Sequence, residues 1–135
     1  LAVQVPANAH APTHVVAARV AASQPHRAAF GAEGPPADPV AANVLAPDEY
    51  ARILYELGCV DIDVDLHVYP HVLPSTRHAG EWVRGTTLTR FQAVMSAEEY
   101  GAFLHDYEAA LIEEMGDARP CFFPFNRILF VATRP

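Results

Sequence analysis

The chain has 135 residues, of which 51% are hydrophobic and 19% are charged, and its formal net charge is −7. This size and apolar content suit one domain with its own hydrophobic core and argue against wholesale disorder. The acidic balance disfavours general binding to nucleic acid or anionic lipid, and no apolar run has the length of a membrane span.

The first third of the chain predicts one strand, one helix and a long loop. Residues 1–5 alternate as in a short strand, and because nothing precedes this strand and no signal peptide is visible, we expect a piece of a longer protein. Residues 6–12 are predicted as a loop, and Thr13 could cap a weak helix that runs to about Ser23. Residues 24–46 are rich in proline and glycine without a period, which predicts a long loop that is functional or mobile.

A helix and an alternating strand follow. Pro47 opens the helix, its apolar face contains Tyr50 and Leu54, and Gly58 ends it. Residues 59–69 then alternate, which predicts a half-buried strand whose acidic face places it at a sheet edge. The side chains predicted to point inward are those of Val60, Ile62, Val64, Leu66 and Val68.

The next part is predicted to be helical. A short helix starts at Pro74-Ser75, runs to about Arg84 and turns Ala79, Trp82 and Val83 inward, and residues 86–95 are predicted as a loop or turn. Ser96 and Glu99 form a capping box at the start of a long helix that ends at Gly116. Its apolar stripe consists of Tyr100, Phe103, Leu104, Tyr107, Leu111, Ile112 and Met115.

The last strand is predicted within residues 121–133. Residues 128–132 are apolar on both faces, which favours a central strand covered on both sides. The predicted order is therefore strand, helix, helix, strand, two helices and strand, which is an α/β arrangement.

The spacing of histidines and cysteines gives little support for a metal site or a catalytic nucleophile. The histidines at positions 10 and 14 have helical spacing but Pro12 interrupts it, and no motif of zinc or phosphate-loop type is present, so we predict no metal site. Cys59 and Cys121 are too few for a disulfide scaffold, and we interpret them as core residues in a reducing cytoplasm.

One set of side chains near element ends could line a small-molecule pocket. Its members are Tyr69, His71, Trp82, Arg84, Thr86 and Arg127. From spacing alone we favour the structural alternative, in which Tyr69 and Trp82 are core residues and Arg84 is solvated.

Several segments together resemble the trans-aconitate 2-methyltransferase family. Residues 1–6 with Asn8 and the run Pro12-Thr13-His14-Val15 resemble its fifth strand and lid. The other matching positions are Tyr50, Leu54 and Gly58 in a helix, Tyr69, His71, Leu73, Pro74, Trp82, Gly85, Thr86 and Leu88 in the middle motif, Phe103 and Tyr107 in the cap helix, and Pro124, Phe125, Arg127, Phe130, Val131, Ala132 and Arg134 at the end.

The resemblance implies the C-terminal part of a Rossmann-like class I methyltransferase fold. Its strands five, six and seven would be the three predicted here, with the last antiparallel and central and with a helical lid or cap. The chain would then be one C-terminal segment, with strand and lid loop at 1–46, helix and edge strand at 47–73, helical cap at 74–117 and terminal strand at 118–135.

The resemblance also implies an S-adenosylmethionine-dependent O-methyltransferase, which methylates a carboxylate of a small polycarboxylate, expected to be trans-aconitate. The glycine-rich turn and the acidic residue that hold this cofactor in the family are missing here, so we expect the isolated segment to be inactive. Thr89-Arg90 stand where the family usually has Arg-Pro, and Met115-Gly116 replace Tyr-Pro.

A carboxylate is ionised at neutral pH and needs no strong general base, so catalysis would depend mainly on alignment. Arginine binds carboxylates through its planar fork, and we predict Arg127 first, then Arg84 and Arg90, as substrate-binding residues. Tyr69, His71 and Thr86 would donate hydrogen bonds, and Trp82 would form a wall.

Two alternatives stay open. The segment could be a non-catalytic module that forms a homodimer through the exposed strand at 1–5. The parent enzyme could instead methylate a different small molecule.

Overall fold

The computed structural model describes all of residues 1–135. A single 3-10 turn lies at His26–Phe30. The other elements, in chain order, are β1 (Ala2–Pro6), α1 (Pro12–Ala22), α2 (Pro39–Asn43), α3 (Pro47–Glu56), β2 (Val60–Leu73), α4 (Thr76–Arg84), α5 (Thr89–Gln92), α6 (Ala97–Met115) and β3 (Cys121–Thr133).

The three strands form one sheet in the order β1-β3-β2. β1 pairs antiparallel with β3, from Ala2 opposite Val131 to Pro6 opposite Arg127. The prediction of a central, antiparallel last strand is confirmed, and so is the edge position of the acidic strand. The prediction that both faces of β3 are covered is wrong in part: Ile128, Phe130 and Ala132 are buried, but Val131, which alternates with them, is 46% exposed.

The chain divides into two compact units, a sheet unit and a helical unit. The sheet unit consists of Leu1–Asn8, Pro39–His71 and Pro124–Pro135. The helical unit consists of Ala9–Asp38 and Val72–Phe123.

The core of the sheet unit lies where α3 covers one face of the sheet. Leu54 of α3 is buried with Ile128, Phe130 and Ala132 of β3. Tyr50 stacks on Phe130 with 4.9 Å between ring centroids. The α3 face predicted from the spacing of Tyr50 and Leu54 is therefore the face that packs.

The prediction for β2 is only half right. Ile62 and Val64 pack against the core, but Val60, Leu66 and Val68 are 45%, 54% and 47% exposed. The reason is length: the 14 residues of β2 extend over about 46 Å, whereas the 10 residues of α3 extend over about 15 Å. The strand continues beyond the helix that covers it.

The helical unit is built around α6. Its fully or almost fully buried residues Tyr100, Phe103, Tyr107 and Leu111 follow the predicted stripe. The prediction of this helix and its capping box is confirmed. Other buried members of the same core are Val16, Ala17, Val20, Ala21, Phe30, Val83, Leu88, Phe91 and Met95.

α4 packs closely on α6 at Gly80. A Cβ atom at this position would lie 3.3 Å from Cδ2 of Leu111 and 3.4 Å from Cε1 of Tyr107. Tyr107 in turn donates a hydrogen bond from its hydroxyl to the carbonyl of Thr13, at 3.1 Å, and so ties α6 to the start of α1. Burial raises the pKa of Tyr107, so its hydroxyl stays protonated as a donor.

The predicted loops contain short helices that the sequence pattern did not indicate. Residues 24–46 include the 3-10 turn and α2, and residues 86–95 include α5. Single aromatic anchors explain two of these: Phe30 and Phe91 are buried and contact each other at 5.9 Å between ring centroids. A short turn with a single buried aromatic residue has no repeating hydrophobic pattern, so periodicity in the sequence does not indicate it.

The predictions for Thr13 and Trp82 are wrong, and the prediction for the two cysteines is confirmed for one of them. α1 begins at Pro12 and has Ala11 as its N-cap, so Thr13 does not cap it. Trp82 is 46% exposed and does not point into the core. Cys121 is buried as predicted, whereas Cys59 is only partly buried.

We expect Ser96→Ala to lower the free energy of unfolding by about 1 kcal/mol, because it removes the N-cap of α6. The Ser96 hydroxyl accepts from the amide of Glu99 at 3.3 Å, and the Glu99 carboxylate accepts from the amide of Ser96 at 2.8 Å. The hydrogen bond from the Ser96 backbone amide to the carboxylate, and after it the one from the Ser96 hydroxyl, lower the pKa of Glu99. Urea unfolding of both proteins measures the difference.

The pH dependence supplies the control. A carboxyl whose pKa is lowered on folding stabilises the protein above its unfolded-state pKa, and this contribution is lost as pH falls through the folded-state pKa. Alanine keeps the backbone amide and removes the hydroxyl, so the part of the Ser96→Ala effect that comes from the hydroxyl's hydrogen bond to the carboxylate should shrink in acid. Ser23→Ala removes a hydroxyl that donates to the carbonyl of Val20 and has no carboxylate partner, so its effect should stay constant over the same range. Equal pH profiles for the two variants would contradict the capping interpretation.

Candidate functional site

The seven predicted site residues are divided between the two units. Tyr69, His71 and Arg127 lie in the sheet unit. Trp82, Arg84, Thr86 and Arg90 lie in the helical unit.

Tyr69, His71 and Arg127 share one face of the sheet. Ile128 and Phe130 point into the core under α3, so Arg127, which precedes Ile128, lies on the opposite face of the sheet. Ile62 and Val64 point to the core in β2, and alternation places Tyr69 and His71 on that opposite face as well, where both are half-buried. The ring contact between His67 and Tyr69, 4.5 Å between centroids, agrees with this alternation.

Arg127 is half-buried and carries no ion pair. Its guanidinium lies 5.3 Å from the centroid of the Phe125 ring, which is a cation–π distance. The neighbouring Asn126 is fixed, because its amide donates to the side-chain oxygen of Asn8 at 2.7 Å. A guanidinium that is oriented by an aromatic ring but has no carboxylate partner can bind a carboxylate from outside.

Arg84 borders a cavity of about 100 Å³ between α4 and α6. Burial raises the pKa of the nearby Tyr100, and the positive charge of Arg84 partly opposes this. The cavity is lined by Arg77, Gly80, Glu81, Arg84, Leu88, Leu104, Tyr107 and Glu108. Arg77 pairs with Glu108, so Arg84 is the arginine of this cavity without a carboxylate partner.

Trp82 and Thr86 lie at the surface of the helical unit. Trp82 is nearly half exposed and contacts Phe123 at 6.0 Å between ring centroids. The Thr86 hydroxyl donates over 3.4 Å to the carbonyl of Val83 at the end of α4. These contacts leave both side chains partly accessible.

Arg90 belongs to a buried polar cluster, which we call the Asp38 cluster: His14, Asp38, Thr87 and Arg90. His14 Nδ1 lies 2.7 Å from Oδ2 of Asp38, and His14 Nε2 lies 3.1 Å from the Thr87 hydroxyl. Arg90 Nη1 lies 3.2 Å from the same Asp38 oxygen. The side chains of His14, Asp38 and Arg90 are only 5%, 11% and 11% exposed.

The contact between His14 and Asp38 assigns the position of one proton in the Asp38 cluster. An ionised carboxylate only accepts hydrogen bonds, so Nδ1 of His14 carries the proton that faces Asp38. Nε2 then either accepts from the Thr87 hydroxyl or, in the charged ring, donates to it. Arg90 also lies 4.5 Å from the ring centroid of Phe91, which holds the guanidinium in place.

Sequence reasoning identified only Arg90 of this cluster. His14 was considered for metal binding and as part of the resembling segment, whereas Asp38 and Thr87 carried no signal. Asp38 lies in the predicted loop, 24 residues from His14, and Thr87 is 73 residues from His14. Contacts at such separations leave no local pattern in a single sequence.

No three His, Cys, Asp or Glu side chains come together as metal ligands do. Among the helices, none combines the length and the apolar character that crossing a bilayer requires.

The chain is similar over its whole length to curated enzymes. It is 38% identical to a trans-aconitate 2-methyltransferase of Deinococcus radiodurans over 100% of its residues, and 37% identical to that of Methylobacterium nodulans over 99%. It is 32% identical to that of Rhodococcus jostii over 98%. The chain is a relative of the trans-aconitate 2-methyltransferases.

This finding confirms the resemblance that the motifs indicated. The chain spans about half the length of these relatives: 52%, 51% and 51% of the three enzymes. No protein-family model matches the chain. The α/β fold with its antiparallel three-stranded sheet is consistent with a part of such a methyltransferase.

Proposed function

We propose that this chain is the C-terminal, substrate-binding part of an S-adenosylmethionine-dependent methyltransferase that esterifies a carboxylate of trans-aconitate. The observation that carries the proposal is the similarity of the whole chain to several enzymes with that name. We place the protein in the cytoplasm, where the two free thiols, Cys59 and Cys121, would stay reduced.

The residues of this chain do not fit the methyl donor. In this class of enzyme we expect a glycine-rich turn between a strand and a helix. Here β1 is followed by Ala7–Ala11 without glycine, and β2 is followed by Pro74 and Ser75. We therefore assign the chain's own residues to the substrate only and expect the isolated segment to be inactive.

The substrate side needs positive charge, because a tricarboxylate approaches a chain whose formal net charge is −7. Arg127 and Arg84 have no carboxylate partner in the protein, so their guanidinium groups are available to a ligand. Arg90 already faces Asp38. We propose Arg127 and Arg84 as direct carboxylate ligands, with Tyr69, His71 and Thr86 as hydrogen-bond donors and Trp82 as a wall.

The reaction requires alignment more than proton transfer. A carboxylate oxygen is already a nucleophile at neutral pH, since its pKa lies near 4 in peptides. The chain's residues then have to hold the carboxylate with one oxygen directed at the methyl group, at a near-attack distance. An arginine that binds another carboxylate of the substrate would fix that orientation.

The decisive experiment compares two proteins. One is the 135-residue chain and the other is the protein of the relatives' full length that contains it. We expect only the longer protein to transfer a labelled methyl group from S-adenosylmethionine to trans-aconitate, and we expect calorimetry to show no S-adenosylmethionine binding to the chain alone. Methyl transfer to other small acids but not to trans-aconitate would contradict the proposed substrate. Tight binding of S-adenosylmethionine by the chain alone would contradict the assignment of this chain to the substrate only.

A second candidate role rests on the exposed edge of β1. This strand has β3 on one side only, and beside it Val3, Leu129 and Val131 border an open apolar groove. An unpaired edge can pair with another copy of itself. The chain alone would then be a non-catalytic homodimer, and sedimentation of a stable monomer at micromolar concentration would exclude that role.

A further inference from the structure

The carboxylate of Asp38 occupies a site that is built like a receptor for a carboxylate. We propose that His14, Thr87 and Arg90 form a carboxylate-binding site which Asp38 fills in this structure and from which a carboxylate ligand displaces it. The identity of that ligand as the enzyme's polycarboxylate substrate rests on the proposed function. The existence of the site rests on the geometry alone.

Arg90 is the first observation that points to a ligand. Its Nε and Nη1 atoms are buried and have no hydrogen-bond acceptor, although Nη1 lies 3.2 Å from Asp38 Oδ2. A carboxylate that matches a guanidinium places two oxygens against two parallel N–H groups. Here one oxygen, Oδ2, faces both Arg90 and His14, so the fork is poorly matched.

Buried donors without acceptors are costly, because they lose hydration without gaining a partner. A free carboxylate is not constrained by a chain and can turn to engage the fork of Arg90 with two oxygens. His14 Nδ1 and the positive charge of Arg90 would remain its other partners. The ligand therefore gains hydrogen bonds that Asp38, in its present position, does not make.

Asp38 is also well placed to leave. It ends the stretch from residue 31 to 38, which contains neither helix nor strand and includes Pro35 and Pro36. Irregular segments open at a lower free energy than helices and strands of a core. When Asp38 withdraws, the guanidinium of Arg90 is left without its counter-charge beside the Nδ1–H donor of His14, and this positive site attracts a carboxylate.

The test uses the 135-residue chain with citrate as the tricarboxylate probe and no methyl donor. Asp38→Asn keeps the shape of the side chain and an oxygen that can accept from His14, but it removes the competing charge. We expect its affinity for citrate, measured by calorimetry and by the imidazole resonances of His14, to be at least about tenfold higher than that of the wild type. The double variant Asp38→Asn/Arg90→Gln should lose this gain.

Glu114→Gln is the matched control. It also removes one carboxylate from an arginine, because Glu114 pairs with Arg19 at 3.0 Å, but that pair is exposed. Its citrate affinity should stay within about twofold of the wild type, since an exposed pair contributes little. An Asp38→Asn variant that binds citrate no more tightly than the wild type overturns the proposal, and so does a gain that survives Arg90→Gln.

A second comparison is independent of whether Asp38→Asn folds. Arg90→Lys keeps the positive charge and loses the planar fork. Saturating citrate should shift the His14 resonances in the wild type, and in Arg90→Lys the same shift should require at least about tenfold more citrate. No His14 shift in the wild type at any citrate concentration also refutes the site. Because no methyl transfer is measured, failure of the proposed enzymatic function leaves these results unchanged, and the two hypotheses can fail separately.

Discussion

Phe103→Ala should lower the free energy of unfolding of this protein by about 3–5 kcal/mol, the range for truncating a buried phenylalanine. Phe103 is 0% exposed and lies at the centre of the aromatic core of the helical unit. Its ring contacts Phe91 at 5.0 Å and Tyr107 at 6.0 Å between centroids, and His26 meets it edge-on at 5.7 Å. Removing the ring leaves a cavity that these neighbours can fill only in part.

Chemical unfolding in urea is the measurement, with the midpoint and slope fitted for each variant. Phe122→Ala is the matched control, since Phe122 is 61% exposed and the same atoms are removed there. Its cost should stay within about 0.5 kcal/mol, as for most surface substitutions. Equal costs for the two variants would mean that the aromatic core around α6 is not packed as described.

The position of Phe103 could be predicted from the sequence because its helix has strong local signals. Ser96 and Glu99 mark the start of α6, and the spacing of Tyr100, Phe103 and Tyr107 marks its buried face. Both are contacts within one or two helical turns, which a single sequence records. The same is true of β3, whose apolar residues on both faces indicate a central strand.

Features that depend on distant residues could not be predicted in this way. The 3-10 turn at His26–Phe30 is held by Phe30 on Phe91 and by His26, whose Nε2 lies 2.8 Å from a carboxylate oxygen of Asp106. Leu66 and Val68 alternate like buried residues, but only the rest of the structure shows that α3 ends too early to cover them. Periodicity reports which face could be buried, and the length of the covering element decides how much of it is.

The candidate site shows the same division between local and distant information. Arg127 was predicted because it matches a family motif and has the right chemistry, and the structure adds that it has no carboxylate partner. The Asp38 cluster was missed because an aspartate in a proline-rich loop has no partner until the fold brings His14 and Arg90 to it. Buried charge clusters of this kind are properties of tertiary structure, and a sequence alone does not show them.

We expect Arg127→Ala to lower kcat/KM for trans-aconitate by about ten- to a hundredfold in the protein of full family length. A hydrogen bond to a charged group contributes about 1.5–3 kcal/mol, and each 1.4 kcal/mol corresponds to a factor of ten. Arg127 is the predicted carboxylate ligand that lies on the same sheet face as Tyr69 and His71 and forms no ion pair in the protein.

The split between the two kinetic constants tests the role. Loss of simple substrate binding raises KM, whereas loss of alignment lowers kcat as well. His71→Ala should weaken the reaction in the same direction, and Arg127→Lys should recover part of the loss, because it restores the charge without the fork. Arg52→Ala is the control: Arg52 is exposed and pairs with Glu56 one helical turn away, so kcat/KM should not change. If Arg127→Ala and His71→Ala both leave kcat/KM at the wild-type value, the substrate does not bind on this face of the sheet, because its carboxylate would then have lost a charged ligand without any effect on the reaction.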